Sequence, residues 1–247
     1  MGEKLKASPL IEAICQFTFK DESQWNWTLP GRLYDNIKTE FPHISEETAP
    51  SIIVSSHQSM LPQKCSSPSR VILKKDESSI VQIGPHFLSI NKLREYSSWI
   101  DFYDIIKYIY KNYLDLLEKP QLARIGLRYI HEIKLVNGNE IQPDEWITLF
   151  PSLKGPLKKP FTGFYQRFEN RIEVPEGAQI IQTGLREVKG VKSIIVDIDC
   201  ISIDFGIYEN ISNEIVFTWI QQAHEIIETF KSSIPEKIYK KFRDGNV

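Results

Sequence analysis

The run Arg124-Ile125-Gly126-Leu127-Arg128-Tyr129-Ile130-His131-Glu132-Ile133-Lys134 alternates strictly. Ile125, Leu127, Tyr129, His131 and Ile133 point one way; Arg124, Arg128, Glu132 and Lys134 point the other. Successive side chains of a strand face opposite sides, so this run specifies one half-buried strand with cations on its wet face. A second alternating run, Pro9 to Phe19, carries Ile11, Ala13, Cys15, Phe17 and Phe19 on one face.

After each of these strands the same order of elements follows. In the first half Thr28 is placed to cap a short helix that carries Leu33, Tyr34, Ile37 and Phe41 at helical spacing. Extended runs follow at 51–55, 70–74, 79–83 and 87–93, with a Ser-, Gln- and Pro-rich loop at 55–69. A long helix then bears the stripe Trp99, Phe102, Tyr103, Ile106, Ile109, Tyr110, Tyr113 and Leu117, and Pro120 ends it. In the second half a strand covers 122–135, Asn137-Gly138-Asn139 turns the chain, and 143–150 reads as a short helix. Extended runs at 163–174, 179–184 and 192–205 precede a long helix at about 213–232, striped by Val216, Trp219, Ile220, Ala223, Ile227 and Phe230. A last charged helix starts at Pro235 and runs to Arg243. The expected fold is α+β: a curved, largely antiparallel sheet with two long helices packed on it. Residues 1–120 and 121–247 read as two pseudo-repeated strand-helix-strands-helix halves sharing one core. A single irregular α+β domain without a repeat is the alternative.

Composition limits the classes of function. A net charge of -2 gives no global attraction to DNA or to an anionic membrane, so nucleic-acid contact would need a local basic patch. The three cysteines, Cys15, Cys65 and Cys200, lie far apart and form no CxxC pair, which excludes a disulfide scaffold and argues against a thiolate zinc site. The first six residues lack a signal-peptide core, and no stretch approaches 18 apolar residues. A reduced, cytoplasmic protein is expected, with no membrane and no cofactor.

Catalytic signatures are missing. The chain has no Gly-x-Ser-x-Gly elbow, no Walker lysine loop and no Gly-x-Gly-x-x-Gly. Neither His131-Glu132 nor His224-Glu225 is followed by the second histidine of a zincin helix. His131 reads as a buried imidazole and His224 as a boundary residue beside the Trp219 stripe. Asp197 and Asp199 share a face, with α-carbons about 6.6 Å apart by the strand rise. They could hold Mg²⁺ as a metal-dependent nuclease does, although no lysine follows at short spacing. The alternative is a solvated sheet face paired with a basic neighbouring strand. No residue is assigned a catalytic or metal-ligating role.

Candidate binding residues are basic. Arg124 and Arg128 stand about 13 Å apart on one strand face, as an anion cradle or as partners for cross-strand carboxylates such as Glu12. The loop carrying Lys154, Lys158 and Lys159 is compact and basic. Phe161, Phe164, Tyr165 and Phe168 beside Arg167 and Arg171 suggest stacking on single strands, with core packing as the alternative. Arg94 sits in a turn next to aromatics.

Three segments, Ser8-Pro9-Leu10-Ile11-Glu12-Ala13-Ile14, Asn91-Lys92-Leu93-Arg94-Glu95-Tyr96-Ser97-Ser98-Trp99 and Arg124-Ile125-Gly126-Leu127-Arg128-Tyr129-Ile130, carry a resemblance, joined by Ala223-His224-Glu225. Together they resemble a sporadically distributed, uncharacterised prokaryotic protein family of about this length. The family pattern has Asn after the Arg-Tyr pair, near where Ile130-His131 stands here. The resemblance implies no activity; patchy distribution suits mobile functions such as antiviral defence. Physically, Asn91 is expected to cap the turn into the helix, with Tyr96 and Trp99 stapling its entry. The expected function is a non-catalytic accessory subunit that docks a protein partner encoded nearby. The alternatives are a nucleic-acid-binding accessory subunit of a guide-dependent, Argonaute-like complex, and a nuclease using Asp197 and Asp199.

Overall fold

A computed structural model describes residues 8–20, 25–47, 70–94, 96, 98–118, 120–135, 163–203 and 212–245. The strands are β1 (Leu10–Phe19), β2 (His43–Glu47), β3 (Arg70–Asp76), β4 (Ser79–Gly84), β5 (Phe87–Leu93), β6 (Leu122–Lys134), β7 (Tyr165–Ile172), β8 (Gly177–Val188) and β9 (Val191–Ser202). The helices are α1 (Leu29–Ile37), α2 (Trp99–Leu114), α3 (Asn213–Glu228) and α4 (Glu236–Asp244). The nine strands form one open sheet in the order β2-β3-β4-β5-β1-β6-β9-β8-β7, and each neighbouring pair is antiparallel. The fold is therefore α+β, built on a large antiparallel sheet with four helices among the described residues.

The two alternating runs become the adjacent central strands β1 and β6. Their inward residues Ala13, Cys15, Phe17, Ile125, Leu127 and Tyr129 are buried. All four helices contribute to the same apolar cluster, for instance Leu33, Ile106, Ile220 and Phe242. The helices therefore cover one face of the sheet, which is how a half-buried strand meets its apolar demand. On the opposite face Ile72, Ser89 and Asn91 are also buried, whereas the corresponding residues of β1, β6 and β9, Ser193 excepted, are half-buried or exposed.

Several local expectations are corrected. Ile11 is not on the inward face of β1: the register shifts between Leu10 and Glu12, and Leu10 takes the buried place. The bulge lets one extra residue pass without turning the rest of the strand over. Thr28 does hold the N-cap position of α1, but its side chain makes no capping hydrogen bond. Instead Asn26 Oδ1 accepts from the Thr28 amide (3.0 Å) and from its hydroxyl. Asn91 does not cap α2, since it lies in β5; Ser98 does, accepting from the Asp101 amide at 3.1 Å. The strand β2 had no separate sequence signal, because His43–Glu47 offers a single large apolar residue, Ile44. The long C-terminal helix ends as a 3-10 turn over Thr229–Ser233 before α4 begins. The β8–β9 turn places Lys189 and Gly190 at φ 50 and 78, the left-handed pair that a two-residue hairpin needs. The expected strand at 51–55, loop at 55–69 and helix at 143–150 lie outside the described residues, as does Cys65. No helix among the described residues is long and apolar enough to cross a membrane.

Candidate binding face

The face of β1, β6 and β9 turned away from the helices is organised by register. One row runs Ile14–Arg128–Asp199 and the next Gln16–Gly126–Ile201. A third places Ile130 between Glu12 and Asp197. Arg128 does not pair with its direct neighbour Asp199. It reaches diagonally to Asp197, with Nε donating to Oδ1 at 2.7 Å and Nη2 donating to Oδ2 at 2.5 Å. A planar guanidinium suits such a two-point grip on a carboxylate. These bonds raise the pKa of Arg128 further above its ordinary value. Glu12 does not take up either arginine: its Oε1 accepts from Asn91 Nδ2 at 2.7 Å, and Asn91 in turn accepts from Ser89 at 2.9 Å.

This pairing leaves two groups without a close partner. Asp199 makes no hydrogen bond among the described residues. Burial pushes its pKa up to about 6, against the pull of Arg128, Arg124 and Arg167 and with the help of Asp197. Arg124 is exposed and makes no ion pair or side-chain hydrogen bond among the described residues. Between them lies Gly126. Its missing side chain leaves a depression of about 80 Å³ lined by Ile14, Gln16, Arg124, Gly126, Arg128, Asp199 and Ile201.

The other basic candidates do not join this site. Arg94 is ion-paired to Glu132. Arg167 on the edge strand β7 pairs with Glu169 of the same strand at 2.5 Å. Lys154, Lys158, Lys159 and Phe161 lie outside the described residues. Tyr165 and Phe168 are exposed on β7, but three positions apart in a strand they face opposite sides, so they form no common stacking platform. Phe164 packs against the core.

The motif residues converge elsewhere, beneath the helices. The hydroxyls of Tyr96 and Tyr129 share a hydrogen bond of 3.2 Å, and Tyr129 Oη lies 2.9 Å from His224 Nδ1. Trp99 stacks on the His224 ring at 3.9 Å and donates from Nε1 to Gln221 at 2.8 Å. This network ties the start of α2 to β6 and α3. His224 is buried rather than at the boundary, since the ring stack and the hydroxyl together accommodate its polar atoms. His131 is buried against Phe230, and its Nδ1 has no hydrogen-bond partner among the described residues. Burial, with Lys231 nearby, pushes both histidines down to about 4. Burial likewise raises the Tyr129 hydroxyl and the Cys15 thiol above their ordinary values, which leaves both inert as nucleophiles at neutral pH.

Chemically, the outer face can bind and pair. Both oxygens of Asp197 are occupied by Arg128, so the two aspartates do not present a ready cation site. No group of three or more His, Cys, Asp or Glu side chains is placed to hold a metal among the described residues. Gly126 is the residue that the strand pattern hid. A glycine inside a strand is itself a signal of close approach by a ligand or another backbone. No model of a known protein family matches the chain, and no curated protein is significantly similar to it.

Proposed function

We propose that this protein is a non-catalytic binding subunit that docks a protein partner on the β1–β6–β9 face. The observation that carries the reading is the composition of that face. Half-buried Ile14, Ile130, Ile195 and Ile201 stand among charges that are largely paired within the chain, leaving Arg124 free among the described residues. Apolar surface with a charged margin is the general anatomy of a protein interface. The hydroxyl that stands beside an imidazole, Tyr129 next to His224, is buried, and burial raises its pKa and keeps it from acting as a nucleophile. A partner encoded nearby, in a prokaryotic defence setting, remains the biological context of this reading, together with membership of the sporadically distributed family that its motifs resemble.

We also read the chain as two copies of one unit. In support, β1 and β6 are neighbours, and each is flanked by the last strand of its own half, β5 or β9. In each half the last strand is followed by a helix of 16 residues, α2 or α3, and in the second half α4 comes after it.

A nucleic-acid-binding role beside an Argonaute-like nuclease is the second reading, favoured by the unpaired Arg124. The two separate by experiment. Purified from its own cells with neighbouring genes intact, the protein should carry a defined companion, and Arg124→Glu with Ile201→Asp should release it. A chain that runs alone at every concentration ends the docking reading. Oligonucleotide affinity that falls steeply with salt and collapses in Arg124→Ala would favour the second. Mg²⁺-dependent cleavage lost in Asp197→Ala would instead establish the nuclease.

A further inference from the structure

Glycine at position 126 has no structural reason among its neighbours. Its φ is not in the left-handed region. A Cβ added there would meet nothing closer than Asp199 Oδ1 at 3.7 Å and the Cys200 carbonyl at 3.9 Å, which are ordinary contacts. Glycine in a strand interior is less stable than alanine, because it loses more backbone freedom on folding. The residue thus gives up stability at the centre of the sheet and leaves open space in return.

That space has two ends. Among the described residues, Arg124 supplies a free guanidinium at one, and Asp199 an unbonded, half-buried carboxyl group at the other. Ile14 and Ile201 wall the sides, with the Gln16 amide beside them. We propose that the depression over Gly126 binds a carboxylate, held by the guanidinium of Arg124 and by a proton shared with Asp199.

The charge balance selects this ligand. Arg128 is neutralised by Asp197, so while Asp199 holds its proton one net positive charge, on Arg124, faces the opening. A monoanion matches it. A phosphate dianion would place its second charge against Asp197 and Asp199. Two carboxyl groups brought together cannot both stay ionised cheaply, and one retains a proton. Asp199 already holds its proton up to about pH 6, because of burial. The charged groups that act on it are Arg124 and Arg128 from β6, Asp197 on its own strand and Arg167 from β7; Glu12 of β1 acts on Arg128. The β8 neighbour Ile180 brings no charge. Binding therefore takes up a proton and strengthens as pH falls.

The carboxylate has two sources, a free small acid or an acidic side chain of a partner. The site consists of its own residues and is independent of the docking reading. The test is a titration of the full chain with sodium acetate, followed by the backbone amide resonances of Gly126 and Arg128. A capped peptide with a single glutamate is titrated in parallel. Acetate should shift those resonances saturably at pH 5, with affinity at least about tenfold weaker at pH 8, by the fraction of Asp199 protonated. Arg124→Ala should abolish the response. Asp199→Asn, which donates at every pH, should bind with no pH dependence. Gly126→Val should block binding with the fold intact, and Gly126→Ala serves if the valine variant does not fold. A peptide at least about tenfold tighter than acetate assigns the group to a partner side chain; equal affinity assigns a free acid. Affinity equal at both pH values, preference for inorganic phosphate, or binding that survives both Gly126 variants overturns the proposal.

Discussion

Arg128 forks onto Asp197 and leaves Asp199, the residue directly opposite it on β9, without a hydrogen bond among the described residues. Both aspartates sit on the same face of one strand, so the asymmetry is one of geometry. The long arginine side chain lies along the sheet, and its two donors meet the diagonal carboxylate squarely. What remains is one aspartate gripped at both oxygens and one whose carboxyl burial pushes up to about 6.

That difference predicts an unusual stability profile. The folded pKa of Asp199, about 6, lies above its ordinary value of 3.8, so the native state binds the extra proton between those limits. Its contribution is fully present below about 3.8 and is lost as pH rises through 6. Asp199→Asn removes a charge that is costly to bury. The variant should be more stable than the parent at pH 7.5, by about 1–2 kcal/mol, and equal to it near pH 4. Urea denaturation at the two pH values reads the difference; a variant destabilised at pH 7.5 would contradict it.

Removing the other half of the arrangement should hurt. Arg128→Ala strands Asp197, whose side chain is only 13% exposed, and takes the strongest cation away from Asp199. A loss of about 1–3 kcal/mol is expected. Asp197→Ala alone should cost less, because the freed guanidinium is 40% exposed and can turn to Asp199. The double replacement Arg128→Leu with Asp197→Leu should recover most of the loss, as apolar pairs often do. A double-mutant cycle in chemical denaturation measures the coupling.

How much of this was legible in the chain follows from the range of each interaction. The alternation of Arg124 to Lys134 announces β6 because the period of a strand is local. The adjacency of β1 and β6, by contrast, depends on pairing across more than a hundred residues, which no local pattern encodes. The carboxylates of Asp197 and Asp199 stand out as a pair, but which one Arg128 takes is set by register. Trp99 and His224 are unremarkable at their own positions; their stacked contact exists because α2 and α3 share one layer. Gly126 was written plainly inside the most informative run, yet its meaning needs its flanking strands, since only Gln16 and Ile201 on either side make it the floor of a depression. The short strand β2 had too few apolar residues to declare itself.

Acid should unfold the protein through the buried histidines. His131 and His224 are both held near 4, below the ordinary value of 6.5, so the unfolded chain binds more protons between those values. Their stabilising contribution is present above about pH 6.5 and falls away as pH drops toward 4. Asp199 acts in the opposite direction over part of the same window, from about 6 down to 3.8, but it is one group against two. The net expectation is a melting temperature that declines from pH 6.5 to 4. His131→Phe keeps the contact with Phe230 and should flatten that decline, whereas Asp199→Asn should steepen it. Calorimetry across the range separates the two effects.

Trp99 provides the sharpest distinction between scaffold and ligand platform. Its ring stacks on His224 at 3.9 Å and on Tyr103 at 5.2 Å, and its indole nitrogen bonds Gln221 on α3. These contacts knit α2 to α3, so truncation should cost about 3–5 kcal/mol in Trp99→Ala. Trp99→Phe retains an aromatic stack and gives up the hydrogen bond, at a cost of about 1 kcal/mol. Since the Trp99 network lies on the helix side of the sheet and Arg124 on the other, the phenylalanine variant should bind a partner or acetate as the parent does. A Trp99→Phe protein of near-parental stability that fails to bind would move the site to the helix side. Equal binding with a lowered melting temperature places Trp99 in the scaffold, where its stacking on His224 and bond to Gln221 already account for it.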